Sequence, residues 1–203
     1  MSASPAAQTS PRPARRRSVV PILIGVVFGA YPVVVWLGLA RESPRAVALG
    51  LLVVMVPIVL WLLRSSRGGT RWAFLVAPLL TVAAIGASAW SDDSSWLFVE
   101  PVVISAAFLL LFGSTLRPGS MPMIERFARM QEASLTLAQQ QWCRLWTWIW
   151  CTFFVVNGTT ALLLALLASV QWWAWYTSGF AYALMGVLFA TEWTMRRRRF
   201  FRA

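Results

Sequence analysis

A chain of 203 residues that is 59% hydrophobic and only 12% charged is not composed like a soluble domain, which carries roughly twice that share of charge. Its net charge of +11 comes from 18 basic residues, all of them arginine, and they stand just outside apolar runs instead of along one soluble face. That placement belongs to membrane orientation and argues against nucleic acid as the partner.

Residues 1–18 are rich in Ala, Ser and Pro, end in Arg15, Arg16 and Arg17, and have no apolar surface to bury, so a disordered basic cytoplasmic tail is expected. Apolar runs then follow at 19–40, 46–63, 72–90, 96–116, 145–168 and 172–195. Each has the length a bilayer core of about 30 Å demands of a helix. The fold class read from this pattern is all-α: a polytopic membrane protein of about six transmembrane helices. Pro32, Pro57 and Pro78 fall inside runs and should kink those helices without ending them. The first run also resembles an export signal, with basic residues before it and Gly38-Leu39-Ala40 at its end. Its 22 residues exceed a signal core of about 7–15, which favours an uncleaved helix.

The domain plan is therefore helices one to four over 19–116, a cytoplasmic amphipathic connection over 117–144, helices five and six over 145–195, and a basic cytoplasmic tail over 196–203. With the amino terminus inside, sixteen arginines fall on the cytoplasmic side and only Arg41 and Arg45 outside. Such a division is expected of a chain with both termini in the cytoplasm. Trp90 and Trp96, the cluster Trp172, Trp173, Trp175 and Tyr176, and the group Trp142, Trp146, Trp148 and Trp150 are expected to anchor helix ends at the headgroup level. Within the connection, PMIERFARMQ puts Ile124, Phe127 and Ala128 on one helical face and Glu125, Arg126 and Arg129 largely on another. It reads as a short interfacial helix between helices four and five, its arginines toward anionic headgroups, or as a plain connection. Glu125 and Arg129 have the spacing of a helical ion pair.

Much chemistry is excluded. Without histidine there is no histidine triad and no histidine zinc site, and without lysine no phosphate loop of the usual kind. Cys143 and Cys151 stand about 12 Å apart along one helix, beyond the roughly 7 Å a disulfide allows, and read as small buried residues. Asp92 and Asp93 are adjacent loop residues whose side chains should diverge. No catalytic, cofactor-binding or metal-ligating set is expected. The remaining candidates are Glu100, in the first turn of helix four near the outer interface, and Asn157, halfway along helix five beside Gly158, Thr159 and Thr160. A carboxylate at a helix start is stabilised by the dipole, and a polar residue at mid-depth either glues helices or serves a path. Glu192 should pair with Arg196, and Gly25 with Gly29 forms a small-residue step suited to close helix packing.

EPVVISAAFLLLFGSTLRPGSMPMIERFARM, followed by WTWIWCTFFVVNGTTALLLA and preceded by AYPVVVWLGLARESPRAVAL, resembles a family of small bacterial inner-membrane proteins encoded beside aryl-polyene and xanthomonadin-type pigment genes. MIERFAR is the most specific part of the likeness. The family has no established activity. The ketosynthase label some members carry demands a cysteine with histidine partners, which this chain lacks. The resemblance implies a non-enzymatic membrane component of a polyene-pigment or acyl-lipid pathway, acting as scaffold or lipid-transfer helper. The alternative is a small transporter or flippase for a lipid-linked product. Expected partners are membrane lipids and, at the cytoplasmic face, soluble biosynthetic enzymes or an acyl carrier protein; no cofactor is expected.

Overall fold

A computed structural model describes residues 20–65, 71–130 and 134–200. The amino-terminal tail, the Arg67 turn, residues 131–133 and the last three residues lie outside these, and the expected packing of Gly25 lies outside the described side-chain surroundings. Every element among the described residues is helical. In chain order they are α1 (Val20–Leu39), α2 (Pro44–Ser65), α3 (Arg71–Ser91), a 3₁₀ turn (Ser94–Phe98), α4 (Glu100–Ser114), α5 (Met123–Arg129), α6 (Leu137–Leu167), α7 (Val170–Trp175), a π-helical turn (Tyr176–Phe180) and α8 (Ala181–Phe200). Three stretches are long and apolar enough to cross a membrane: Pro44–Arg64, Ser94–Ser114 and Leu137–Leu167. Pro32, Pro57 and Pro78 all lie inside helices that continue past them.

The bundle is built on two tight antiparallel pairs, α2 with α3 and α4 with α6. The turn into α2 is compact, since a Cβ on Gly38 would stand 2.9 Å from Val47 Cγ2. Arg45 then ties the start of α2 to the end of α3. Its Nε and Nη2 donate to the carbonyls of Ala89 and Trp90 at 3.0 and 3.2 Å, which no helical N–H reaches. The backbone N–H of Arg45 donates to Asp92 Oδ1 at 2.8 Å, and Asp92 holds a left-handed φ of 55°. Asp93 Oδ1 instead accepts from Ser95 N–H at 2.9 Å and caps the 3₁₀ turn. The neighbouring aspartates thus diverge into two separate tasks.

Two apolar clusters mark the two ends of the bundle. Tyr31, Val35, Ala48, Ile85, Leu97 and Trp173 pack together at the end that carries Arg41 and Arg45. Phe112, Ile124, Trp142, Trp146, Trp150 and Phe154 pack together at the other end, where Arg117, Arg126, Arg129, Arg144 and the Arg196–Arg199 run gather. This corrects the anchoring role expected of four of the tryptophans. Trp142, Trp146 and Trp150 recur every fourth position, share one face of α6 and are buried, as is Trp173. Trp90, Trp96, Trp148, Trp172 and Trp175 are the exposed ones. Cys143 and Cys151 are free and buried, as expected of small core residues.

The connection also differs from expectation. α6 starts at Leu137, inside the stretch read as non-spanning, because Thr136 and Gln139 form a reciprocal capping box. α5 is docked on α6. Its first N–H groups are satisfied from outside, Met123 N–H by Thr115 Oγ1 at 3.0 Å and Ile124 N–H by Thr147 Oγ1 at 3.4 Å. Met123, Ile124, Glu125 and Ala128 are buried. Glu125 is therefore on the packed face, not the outward one, and Phe127, expected beside Ile124, is 52% exposed.

Candidate functional site

A cavity of about 410 Å³ lies between α3, α4, α6 and the start of α8. It exists because α8 leans on α6 and the π-helical turn, and stands off from α3 and α4. Pro32, Pro78 and Pro101 come to its wall from three different helices. The π-helical turn inserts one extra residue per turn just where Thr177 meets the cavity, a distortion that recurs at functional sites.

Both intramembrane candidates from the sequence, Glu100 and Asn157, line this one cavity. Glu100 follows the end residue Val99 at the start of α4, with Pro101 next to it. The dipole of α4 favours a carboxylate there, but the expected proximity of bulk water is not found. Glu100 is 3% exposed, and its Oε1 is buried without a hydrogen-bond partner among the described residues. An unpaired buried oxygen costs free energy.

Asn157 is held from both sides. Its Nδ2 donates to Ser105 Oγ at 3.1 Å, and its Oδ1 accepts from the Tyr176 hydroxyl at 3.1 Å. Ser105 Oγ in turn donates to Pro101 O at 2.8 Å, so the chain of polar contacts runs from the π-helical turn across α6 to the first turn of α4. Close approach of the helices makes this possible. A Cβ on Gly158 would lie 2.9 Å from Ser105 Cβ, nearer than such atoms sit. Asn157 thus works as glue and as lining at once. Ser105, Tyr176, Thr177 and Tyr182 are site residues that sequence reading missed. None has a local marker, and only the pairing of α4 with α6 brings them together.

Comparison with protein-family models, with curated proteins and with solved structures gives no match for this chain. The site is therefore read from its own chemistry. It has one unpaired carboxyl oxygen, one fixed amide and several hydroxyls at the α4 start, and Phe108, Leu111, Phe154 and Met185 farther along. No arginine among the described residues lines it. Such a wall, mostly apolar with a few convergent polar groups, suits a small amphiphile.

The other sequence candidates lie elsewhere. Glu125 and Arg129 pair at 2.7 Å on α5, and Arg126 Nε donates to Met121 O at 3.3 Å. Glu192 and Arg196 form the expected pair, at 3.4 Å. All belong to the arginine-rich end, away from the cavity. Among the described residues no group of three or more acidic, cysteine or histidine side chains is placed to hold a metal.

Proposed function

We propose that this chain is a multi-pass bacterial inner-membrane protein that holds an amphiphilic intermediate or product in the Glu100 cavity. Its role is that of a lipid-transfer helper or small transporter in an acyl-lipid or polyene-pigment pathway, without covalent chemistry of its own. The observation that carries this is a largely apolar cavity whose wall includes the buried Glu100 and the doubly held amide of Asn157. The pathway rests on the sequence resemblance around MIERFAR.

The topology assigned with it has six spans and both termini in the cytoplasm. The division of arginines between the two ends of the bundle supports it, since Arg41 and Arg45 share an end that none of the Arg196–Arg199 run approaches. α1 and α3 hold the shorter apolar stretches Gly29–Leu39 and Leu75–Ser91, and the last span rests on the apolar run 172–195 of the sequence. A reporter fused after Ser94 should read outside and one after Ser120 inside; a cytoplasmic signal at Ser94 removes the six-span arrangement.

A scaffold reading has its own support in α5, where Arg126, Phe127 and Met130 offer charge and apolar surface together. That surface would meet anionic headgroups, a soluble biosynthetic enzyme or an acyl carrier protein. Gene deletion with lipid and pigment profiling, followed by complementation, separates the two. Glu100→Gln at normal abundance should fail to restore the profile if the cavity carries the function. Full restoration by Glu100→Gln with failure of Arg126→Ala leaves the scaffold reading in its place.

A further inference from the structure

The polar part of the cavity wall holds donors that the protein leaves unspent. Ser105 Oγ gives its proton to Pro101 O at 2.8 Å, so toward Asn157 Nδ2, at 3.1 Å, it can only accept. This fixes which way round the amide sits, and it agrees with the Tyr176 hydroxyl donating to Asn157 Oδ1 at 3.1 Å. One N–H of Asn157 is then left without a partner among the described residues. The Tyr182 hydroxyl is in the same condition. It lies against Gly29 of α1, 3.8 Å from where a Cβ would stand, and meets no acceptor among the described residues. Thr177 Oγ1 spends its proton on Trp173 O at 2.8 Å, and Glu100 Oε1 is turned into the protein.

Cations are missing from the same wall. None of the described arginines lines it, and the chain has neither lysine nor histidine. An anion entering this space would give up its water with no cation to receive it, at a large cost. The way in points to the same choice. Phe108 on α4 and Tyr182 on α8 both line the space and are exposed, so it is open between these two helices. No charged residue stands between Pro101 and Ser114 or between Ala181 and Thr191, so in the topology proposed the opening faces hydrocarbon.

We infer that the cavity takes, sideways from the bilayer, an uncharged carbonyl compound on an apolar chain, an ester or a ketone, whose oxygen accepts from the Tyr182 hydroxyl. This rests on the reading of the cavity as an amphiphile site, and it adds the head-group chemistry. A carbonyl oxygen has two lone pairs and nothing to donate, which matches a wall whose unspent groups are donors. The N–H of Asn157 is the second donor on that wall. The chain of the ligand lies along Leu111 and the rings of Phe108 and Phe154, which stack with centroids 5.3 Å apart.

The test uses the full-length protein in dodecyl maltoside micelles, a detergent without a carbonyl. Methyl cis-parinarate is the reporter, read by energy transfer from the protein's tryptophans after subtraction of empty micelles. Methyl dodecanoate, tetradecane and dodecanesulfonate, which stays an anion at any working pH, are compared as competitors at equal mole fraction in the micelle. The ester should compete roughly threefold to tenfold better than tetradecane, the size of one net hydrogen bond. It should exceed the sulfonate by at least roughly tenfold. Tyr182→Phe keeps the ring and removes the donor, so it should shrink the advantage of the ester over tetradecane and leave tetradecane itself unchanged. The unfolding midpoint should also stay, because the hydroxyl has no partner to lose. An ester no better than tetradecane overturns the inference, as does a sulfonate that matches the ester or an ester advantage that survives Tyr182→Phe undiminished. The wild-type ranking decides even if the variant proves unstable. If the reporter shows no saturable binding, or if Leu111→Trp at an unchanged unfolding midpoint leaves its binding intact, the amphiphile reading of the cavity itself falls.

Discussion

The hydroxyl of Tyr31 donates to the carbonyl of Leu97 at 2.9 Å across the end of the bundle that carries Arg45. Leu97 stands four residues before Pro101, the position from which a helical N–H would ordinarily reach that carbonyl. Proline has no N–H, so α1 sends a tyrosine to satisfy what α4 cannot. The bond fixes α1 against the 3₁₀ turn that leads into α4, three residues before the cavity carboxyl.

Tyr31→Phe should therefore cost more than its single oxygen suggests. It leaves a buried carbonyl unpaired, a loss of about 1–3 kcal/mol, with little change in packed volume. Denaturant unfolding in micelles measures it; a change within error means that water or another donor takes the place of the hydroxyl.

Gly158→Ala should destabilise the α4–α6 pair by about 1–3 kcal/mol, because the new methyl meets Ser105 Cβ. Ser105→Gly in the same chain should recover the part of this loss due to the collision. A double-mutant cycle reads the coupling, and strictly additive effects of the two changes would mean that the helices shift apart freely.

Arg126→Ala and Arg129→Ala should part company. Arg126 is exposed, so its loss leaves folding in neutral micelles nearly unchanged and removes about 1 kcal/mol of the attraction between this segment and anionic lipid. Arg129 holds the buried carboxylate of Glu125, so its loss should cost about 1–3 kcal/mol in stability. Thermal unfolding in neutral micelles, repeated in nanodiscs with and without anionic lipid, separates them; equal effects on stability in micelles would contradict the outward placement of Arg126.

Asp93 supplies a pH dependence. The backbone N–H of Ser95, and after it the Ser95 hydroxyl, hold its carboxyl below the ordinary range. A group with a lowered native pKa stabilises the fold above its unfolded pKa, and that contribution disappears as pH falls through the native one. Protection of the 3₁₀ turn against amide exchange should thus decline on acidification, and Asp93→Asn should remove the decline. An unaltered pH profile in the variant assigns it to another group.

The helices were legible because their apolar runs match a bilayer core in length, and the ion pairs Glu125–Arg129 and Glu192–Arg196 because four residues make one helical turn. Which faces meet was not. α1 and α4 are apolar nearly all round, so no stripe marks the inward side, and Tyr31, Ser105 and Gly158 acquire their partners only through helix pairing. Glu100 and Asn157 were separately visible as costly polar residues in apolar surroundings, but their meeting in one cavity was not. The start of α6 was hidden by the polar run after Thr136, where hydropathy is silent, although Thr136 with Gln139 spells a capping box.

α6 runs unbroken for 31 residues, about 46 Å of helix against a hydrocarbon core of about 30 Å. In the topology proposed it acts as a mast that outreaches the membrane on the side where α5 leans on it. Asn157 and Thr147 sit ten residues apart on this one stiff rod, with Thr147 fixing α5 and Asn157 fixing the cavity wall. A partner that tips the protruding end moves both together. Whatever touches α5 then has mechanical leverage on how widely the cavity opens.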